Sequence, residues 1–388
     1  MGGLVVRPRA RILHGHDWVY ASEVLKIFGD PADGDVISLK DGRDRLLGCA
    51  IFNSRSQIIA RRFSKRRQDL DHEFFARRIN QAVAWRERVG CNPQLCRLVW
   101  SEADGLPGVV ADRYADVVVL QTLTLGMDRH KSLIAKVLSE LNGVRHILER
   151  NDGPTRSAEG LPPIVGPLYG GDPGEREIEV NGVRFLVNFM HGQKTGLYLD
   201  QLENYSLLAQ HAGGRRVLDC FSNQGGFALA CARAGALEVT AVESAAESAR
   251  KLRENSVRNG LRISVVEEDV FSFLKASERR GDHYDLIILD PPSFTRARGK
   301  VNDALRGYRE LHLRSARLLN QGMLATFSCS HHVSAEEFES AVASGFADAK
   351  RAARIVRRLG QGADHPVLLH LPETFYLKGL LLDATAGR

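Results

Sequence analysis

The chain has no apolar run approaching the ~18–20 residues that a membrane-spanning helix needs. Its opening, MGGLVVRPRARILHG, lacks the apolar stretch that directs export. Cysteine is sparse: six in 388 residues, at 49, 91, 96, 220, 231 and 329. No two of them form a CxxC, and Cys91 with Cys96 has no second pair to complete a zinc site. Thiols scattered this way suit a reducing compartment better than a disulfide framework. Internal repeats, low-complexity tracts, a G-x-G-x-x-G dinucleotide fingerprint and a lysine-bearing phosphate loop are also absent. The expectation is a cytoplasmic globular protein without a metal centre, and its 44% hydrophobic and 26% charged residues fit that class.

What the chain does have is positive charge, unevenly placed. The net charge is +6, and residues 1–70 carry 13 Lys and Arg against 8 Asp and Glu, so most of the excess sits in the first fifth. The stretch RRFSKRR (61–67) sets five cations around one aromatic, and KRAARIVRR (350–358) has five cations and no acid. Either run alone reads as a solvated face. Together they point to a polyanion, and nucleic acid is the expected partner.

The pattern divides the chain into three. Residues 1–70 alternate short strand-like runs (VISLK, LLGCAIFN, QIIARRF) with Gly/Asp turns, a small β-rich module. Residues 71–177 mix a helical segment at 72–90, strands in LCRLVW, VVADRY, VVVLQTL and VRHILER, and a second helix in HKSLIAKVLSEL. They end in a Gly/Pro-rich connection, EGLPPIVGPLYGGDPGE. Residues 178–388 open on a hairpin-like pair and then alternate apolar strands with amphipathic helices. The strands are RRVLDCF, VTAVE, ISVVEED, YDLIILD and MLATFSCS, an α/β doubly wound parallel sheet. The last strand candidate, FYLKGLLLDA, has no helix before it and is expected to pair antiparallel at the end of the sheet.

Ligands of such sheets bind outside the carboxyl ends of the strands, where the winding reverses. Here the first strand ends in Asp219, followed by Gly225 and Gly226 before a helix, and the second ends in Glu243. An acid before the glycines and another on the next strand, without a phosphate cradle, suit S-adenosylmethionine. Asp219 can meet its amino group, Glu243 its ribose, and Asp269 with Val270 can lie beside its adenine. The fourth strand ends in LDPPSF, where proline rigidifies the chain and holds Asp290 at the sheet edge.

These residues are shared with a known family. GQKTGLYLDQ (192–201), VLDCFSNQGGFALACARAG (217–235), VES (242–244), DPPSF (290–294), FSCSHH (327–332), GADHPV and LPETFYLKG resemble the RlmI-like family of large-subunit (23S) ribosomal RNA cytosine-C5 methyltransferases. GLPGVVADRY and the N-terminal module match too. The resemblance implies a PUA domain, a small α+β middle domain and a Rossmann-like class I methyltransferase domain. It extends the cofactor set to Phe221, Asn223, Phe227, Ser244, Gln193 and Tyr198. It implies ribosomal RNA or an assembly intermediate as partner, no membrane, and leaves homodimerisation open. Asn223 and Gln224 stand where the family pattern has tyrosine and threonine, and Leu202 where it has arginine.

Methylating C5 of cytosine requires a nucleophile at C6, because C5 by itself is a poor nucleophile; a thiolate serves. Cys329, at the end of the fifth strand, is the cysteine so placed opposite the DPP strand end, with Asp290 as its partner on the base. Ser293 stands where many related RNA enzymes carry a second cysteine, so water or a neighbouring group such as His331 or His332 must take the C5 proton. The other cysteines read as small buried hydrophobes, with Cys220 able to line the cofactor pocket. The competing readings are amino-group methylation gripped by DPP and Phe294, uridine-C5 methylation, and an inactive RNA-binding assembly factor.

Overall fold

In the computed structural model, residues 2–190, 196–295 and 298–384 are described. The chain forms two compact units, one of residues 1–178, 187–199 and 363–374, the other of residues 179–186, 200–362 and those from Phe375 onward.

The first unit holds two sheets. One has six strands in the order Trp18–Tyr20, Ile58–Ser64, Leu46–Phe52, Val36–Lys40, Gly3–Val6, Val24–Phe28. The other has five, in the order Ile164–Tyr169, His146–Asn151, Val117–Thr122, Val109–Tyr114, Leu95–Trp100. Ile164–Tyr169 lies within the segment read from sequence as a Gly/Pro-rich connection; its prolines and glycines are tolerated because it is an edge strand. The helix His72–Arg88 begins where the Asp71 carboxylate accepts from the Phe74 amide, and buries Phe74, Phe75, Ile79 and Ala82 on one stripe. Those side chains share a core with Cys49, Ile51 and Phe63 of the six-stranded sheet, which joins the two modules into one body. Arg86, 1% exposed, is held by both oxygens of Asp104 at 2.6 and 2.8 Å and by the Asp364 carbonyl at 2.8 Å, tying residues 363–374 into this unit.

The second unit is built on seven strands: β1 Arg216–Cys220, β2 Glu238–Glu243, β3 Ser264–Glu267, β4 Tyr284–Leu289, β5 Leu319–Ser328, β6 Arg354–Gly360 and β7 Lys378–Asp383. Their order is β3-β2-β1-β4-β5-β7-β6, parallel from β3 to β5 and antiparallel in the last two. The helices are α1 Leu202–Ala209, α2 Gly226–Arg233, α3 Ala246–Arg258, α4 Val270–Arg280, α5 Val301–Leu318 and α6 Ala335–Asp348. The expected end strand, β7, is instead interior: the basic run 350–358 forms most of the outer strand β6. Its exposed arginines and valine suit an edge, whereas β7 is buried almost throughout.

Period-2 alternation decides which way each strand residue faces. Leu218 and Cys220 point into the core made by α4, α5 and α6, where Phe273, Tyr308, Leu311 and Phe338 meet. Asp219 therefore faces the other side, toward α2. The winding runs outward from β1 to β3 and then returns to β4, so the crevice outside the carboxyl ends opens between β1 and β4.

Candidate active site

The loop after β1 is built for close approach. Phe221 and Asn223 adopt left-handed φ of 63° and 48°, a conformation uncommon for residues with a side chain. Gly225 follows at φ 91° and starts α2. A Cβ on Gly226 would fall 2.3 Å from the Tyr205 ring, so only glycine lets the loop settle against α1.

Asp219 is 1% exposed. One carboxylate oxygen accepts from the Ala228 amide at 3.0 Å; the other, Oδ1, is buried and has no hydrogen-bond partner among the described residues. A buried acceptor left unmet is costly in a native fold. Burial, with the Asp290 and Glu243 charges adding to it, pushes its pKa up to about 8, although bonds from Ala228 and Ser222 oppose the shift. An ammonium group meeting Oδ1 would satisfy the acceptor and favour the carboxylate. Glu243 is fixed by two backbone amides, from Asn223 at 2.9 Å and Ala245 at 2.8 Å, and its oxygens keep lone pairs for a diol.

Elsewhere in the predicted cofactor set the roles separate. Asp269 is exposed and caps α4, accepting from the Ser272 amide at 3.0 Å. Val270 puts its side chain into the core, which leaves its backbone as the part able to face a ligand. Phe227 is likewise a core aromatic, edge-on to Tyr205 at 4.6 Å and stacked on Phe327 at 5.6 Å. Asn223 accepts from the Gln224 amide through its side chain, and Ser244 is exposed beside Glu243. Tyr198, half-buried, belongs to the first unit. Gln193 lies outside the described residues. The open acceptor at Asp219, the amide-held Glu243 and the glycine turn are chemically suited to S-adenosylmethionine: Asp219 could receive its amino group and Glu243 its ribose diol.

The crevice's other wall is formed by the ends of β4 and β5. Leu289 pairs with Thr326, so Asp290 and Cys329 follow the ends of neighbouring parallel strands. Sequence reasoning missed what supports them. Gln201 donates to Asp290 at 3.0 Å and is itself held by Asn204 at 2.7 Å, which also bonds the Gly360 carbonyl. Tyr308 from α5 donates to Ser328 at 2.8 Å and lies 3.1 Å from the Ser330 hydroxyl, which in turn lies 3.3 Å from the Ser293 hydroxyl. Burial raises the Tyr308 pKa, and both the Cys329 and Asp290 charges act on it in the same direction. Lys378 of β7 is buried beneath the turn after β5. The LDQ and LKG triplets were visible in the sequence, but nothing local marks Gln201 as a partner of a group 89 residues away or Lys378 as a partner of groups 45 and 48 residues away.

His331 is reached by solvent, yet surrounding protein pulls its pKa below the ordinary imidazole value, with Lys378 and His332 adding to the effect. Cys49, Cys96, Cys220 and Cys231 are buried and Cys91 is partly so; burial holds Cys96, Cys220 and Cys231 as thiols, with Cys96 pushed up to about 12. Of the five cations at 61–67, two are already engaged. Arg61 pairs with Glu102 at 2.7 Å and buried Arg62 with Asp17 at 2.8 Å, which leaves Lys65, Arg66 and Arg67 exposed. No helix among the described residues is long and apolar enough to cross a membrane.

Residues 133–343 match the family described as S-adenosylmethionine-dependent methyltransferase, and residues 7–65 match a PUA-like domain. The chain is 37% identical over 382 residues to the ribosomal RNA large subunit methyltransferase I of Tolumonas auensis, with 96% of each chain covered. It is 38% identical to that of Shewanella amazonensis, with 94% of each covered. Among solved structures, it superposes on a methyltransferase complexed with SAH at a TM-score of 0.85 and 23% identity, covering 99% of this chain and 100% of that one. A SAM-dependent methyltransferase from Streptococcus mutans gives 0.84 at 22% identity, with 99% and 100% covered. The chain is an S-adenosylmethionine-dependent methyltransferase, and it belongs to the family of the ribosomal RNA large subunit methyltransferase I proteins.

Proposed function

We propose that this enzyme forms 5-methylcytosine in large-subunit (23S) ribosomal RNA, with Cys329 bonded to C6 of the base during transfer. The observation that carries the reading is the placement of Cys329 and Asp290 after the ends of adjacent parallel strands, across the crevice from Asp219 and Glu243. The names of the relatives, which act on ribosomal RNA of the large subunit, support the substrate. The PUA-like domain and the exposed Lys65, Arg66 and Arg67 support RNA contact through phosphates.

The target base is flipped out of its stack to reach the crevice. Asp290, steadied by Gln201 and by the proline pair after it, hydrogen-bonds the N3/N4 edge and meets charge that develops on the ring. The Cys329 thiolate adds to C6, which makes C5 enamine-like. S-adenosylmethionine, when bound, supplies an electrophilic methyl on a sulfonium. C5 takes that methyl, the C5 proton passes to a base, and the S–C6 bond breaks to return the thiolate and the aromatic ring. Ser293 donates to the Thr295 carbonyl at 2.8 Å, so its hydroxyl is turned to the loop backbone.

Phe294 argues against amino-group methylation. Its partly buried ring packs on Tyr308 at 4.6 Å and Phe271 at 6.2 Å against the core, which engages it with its own aromatic neighbours rather than with a base. Incubating the enzyme with ribosomal RNA and S-adenosylmethionine, then digesting to nucleosides for mass spectrometry, should yield 5-methylcytidine. An N4-methylated cytidine or a methylated uridine as the product would overturn the assignment.

A further inference from the structure

Lys378 is a buried cation that no acid answers among the described residues. Its residue is 6% exposed, and no carboxylate among the described residues forms an ion pair with it. Its Nζ donates instead to two carbonyls of the turn after β5, Ser330 at 2.8 Å and Val333 at 3.0 Å. Those carbonyls lie just beyond Cys329, and β7 pairs with β5 so that Lys378 sits opposite Ser328, the residue before the cysteine. An ammonium removed from water needs a compensating negative charge close by. Carbonyl dipoles answer part of that need. Cys329 follows directly on the residue paired with Lys378, and the charge of its thiolate raises the Lys378 pKa that burial lowers.

We propose that Lys378 is the counter-charge and positioning residue of Cys329: its ammonium fixes the 328–333 turn through two carbonyls and holds Sγ as the thiolate. The balance is a single proton, carried by Nζ rather than by Sγ, with no change of oxidation state. The other charged or titratable groups around this turn do not supply the cation. Asp290 from β4 and Tyr308 from α5 bring negative charge or none. Burial lowers the His331 pKa, which disfavours its imidazolium; its ring packs 6.2 Å from that of Tyr376, and Tyr376 donates to Asp200 at 2.6 Å. His332 is exposed to solvent. Lys378 is the buried positive charge.

This inference deepens the thiolate reading and rests on it for its purpose, but its test reads the sulfur directly. The rate of Cys329 alkylation by iodoacetamide is followed from pH 5 to 10 in the full-length protein, by mass spectrometry of the Cys329 peptide. Buried Cys96, Cys220 and Cys231 act as slow internal references. In the wild type the half-maximal rate is expected below the ordinary thiol value of about 8.5. K378M should move it up by about one pH unit or more, which slows alkylation about tenfold at pH 7, and K378R should stay with the wild type. Retained S-adenosylhomocysteine binding reports that each variant is folded. A folded K378M protein with the wild-type profile overturns the proposal, because a merely structural lysine would not move the sulfur's titration. A wild-type midpoint at or above 8.5 overturns it as well, and that measurement needs no variant to fold. Failure of the covalent mechanism is seen separately, as methyl transfer surviving in Cys329→Ala, which leaves the alkylation profile of the wild type to decide the role of Lys378.

Discussion

At the β1 and β2 ends of the sheet the acids are held by backbone amides; at the β4 and β5 ends the groups are held by other side chains. Asp219 takes the Ala228 amide and Glu243 those of Asn223 and Ala245. Asp290 depends on Gln201, which depends on Asn204, and the Cys329 turn depends on Lys378 and the Tyr308–Ser328–Ser330 hydroxyls. Amide bonds come with the loop that makes the turn, so the cofactor half is set once the local chain folds. The transfer half is set only when five distant segments meet. A single substitution should therefore act locally in the first half and spread through partners in the second.

The largest effect should come from the transfer half. Asp290→Asn should lower kcat by about 10²-fold or more, the scale of a lost acid–base partner, while cofactor affinity measured by calorimetry stays near the wild type. A matching loss of affinity would mean that the two halves are not separate. Next is Glu243→Ala, which should weaken S-adenosylmethionine binding by roughly 1.5–3 kcal/mol, since it removes hydrogen bonds to a charged group. Unchanged affinity would take Glu243 out of the site.

Asp219 gives the comparison a pH axis. Its folded pKa of about 8 lies far above the ordinary carboxyl range. A raised pKa contributes stability that is fully present below the unfolded value, near 4, and lost as pH rises through about 8. The melting temperature of the cofactor-free protein should thus fall across that window. Cofactor affinity should rise over the same window, by up to about tenfold per pH unit, as the carboxylate forms to meet the amino group. Asp219→Asn should flatten both slopes; slopes that persist would assign the titration elsewhere.

The smallest effect is expected outside both halves. Replacing Lys65, Arg66 and Arg67 by glutamine should leave cofactor affinity intact and weaken RNA binding, with each lost phosphate contact removing about 0.7–0.9 from the log–log salt slope. An unchanged slope would make these three cations a solvated face. Arg61 and Arg62 are left out of that test because their ion pairs to Glu102 and Asp17 are internal.

The same contrast explains what could be read from the chain beforehand. Asp219, the glycines and Glu243 are legible because the motif and the structure are both local, within one strand–loop–helix–strand run. The parallel sheet is legible for the same reason, from apolar strands spaced by helices. Ile164–Tyr169 was hidden because proline and glycine are tolerated at a sheet edge, and β6 because its outward arginines read as charge rather than as a strand. Gln201, Tyr308 and Lys378 carry no local signal at all. Their role arises from pairings across 89, 22 and 48 residues, and only the folded sheet makes these.

The central claim is that Cys329 bonds to the base, and trapping that bond tests it most directly. RNA carrying 5-fluorocytidine at the target should hold the wild-type enzyme in a covalent complex with the methyl already transferred, because fluorine cannot leave C5 as a proton does. Mass spectrometry should place the nucleotide on the Cys329 peptide, and Cys329→Ala should give neither the complex nor 5-methylcytidine while still binding S-adenosylmethionine. Methyl transfer by Cys329→Ala at the wild-type rate would contradict the account.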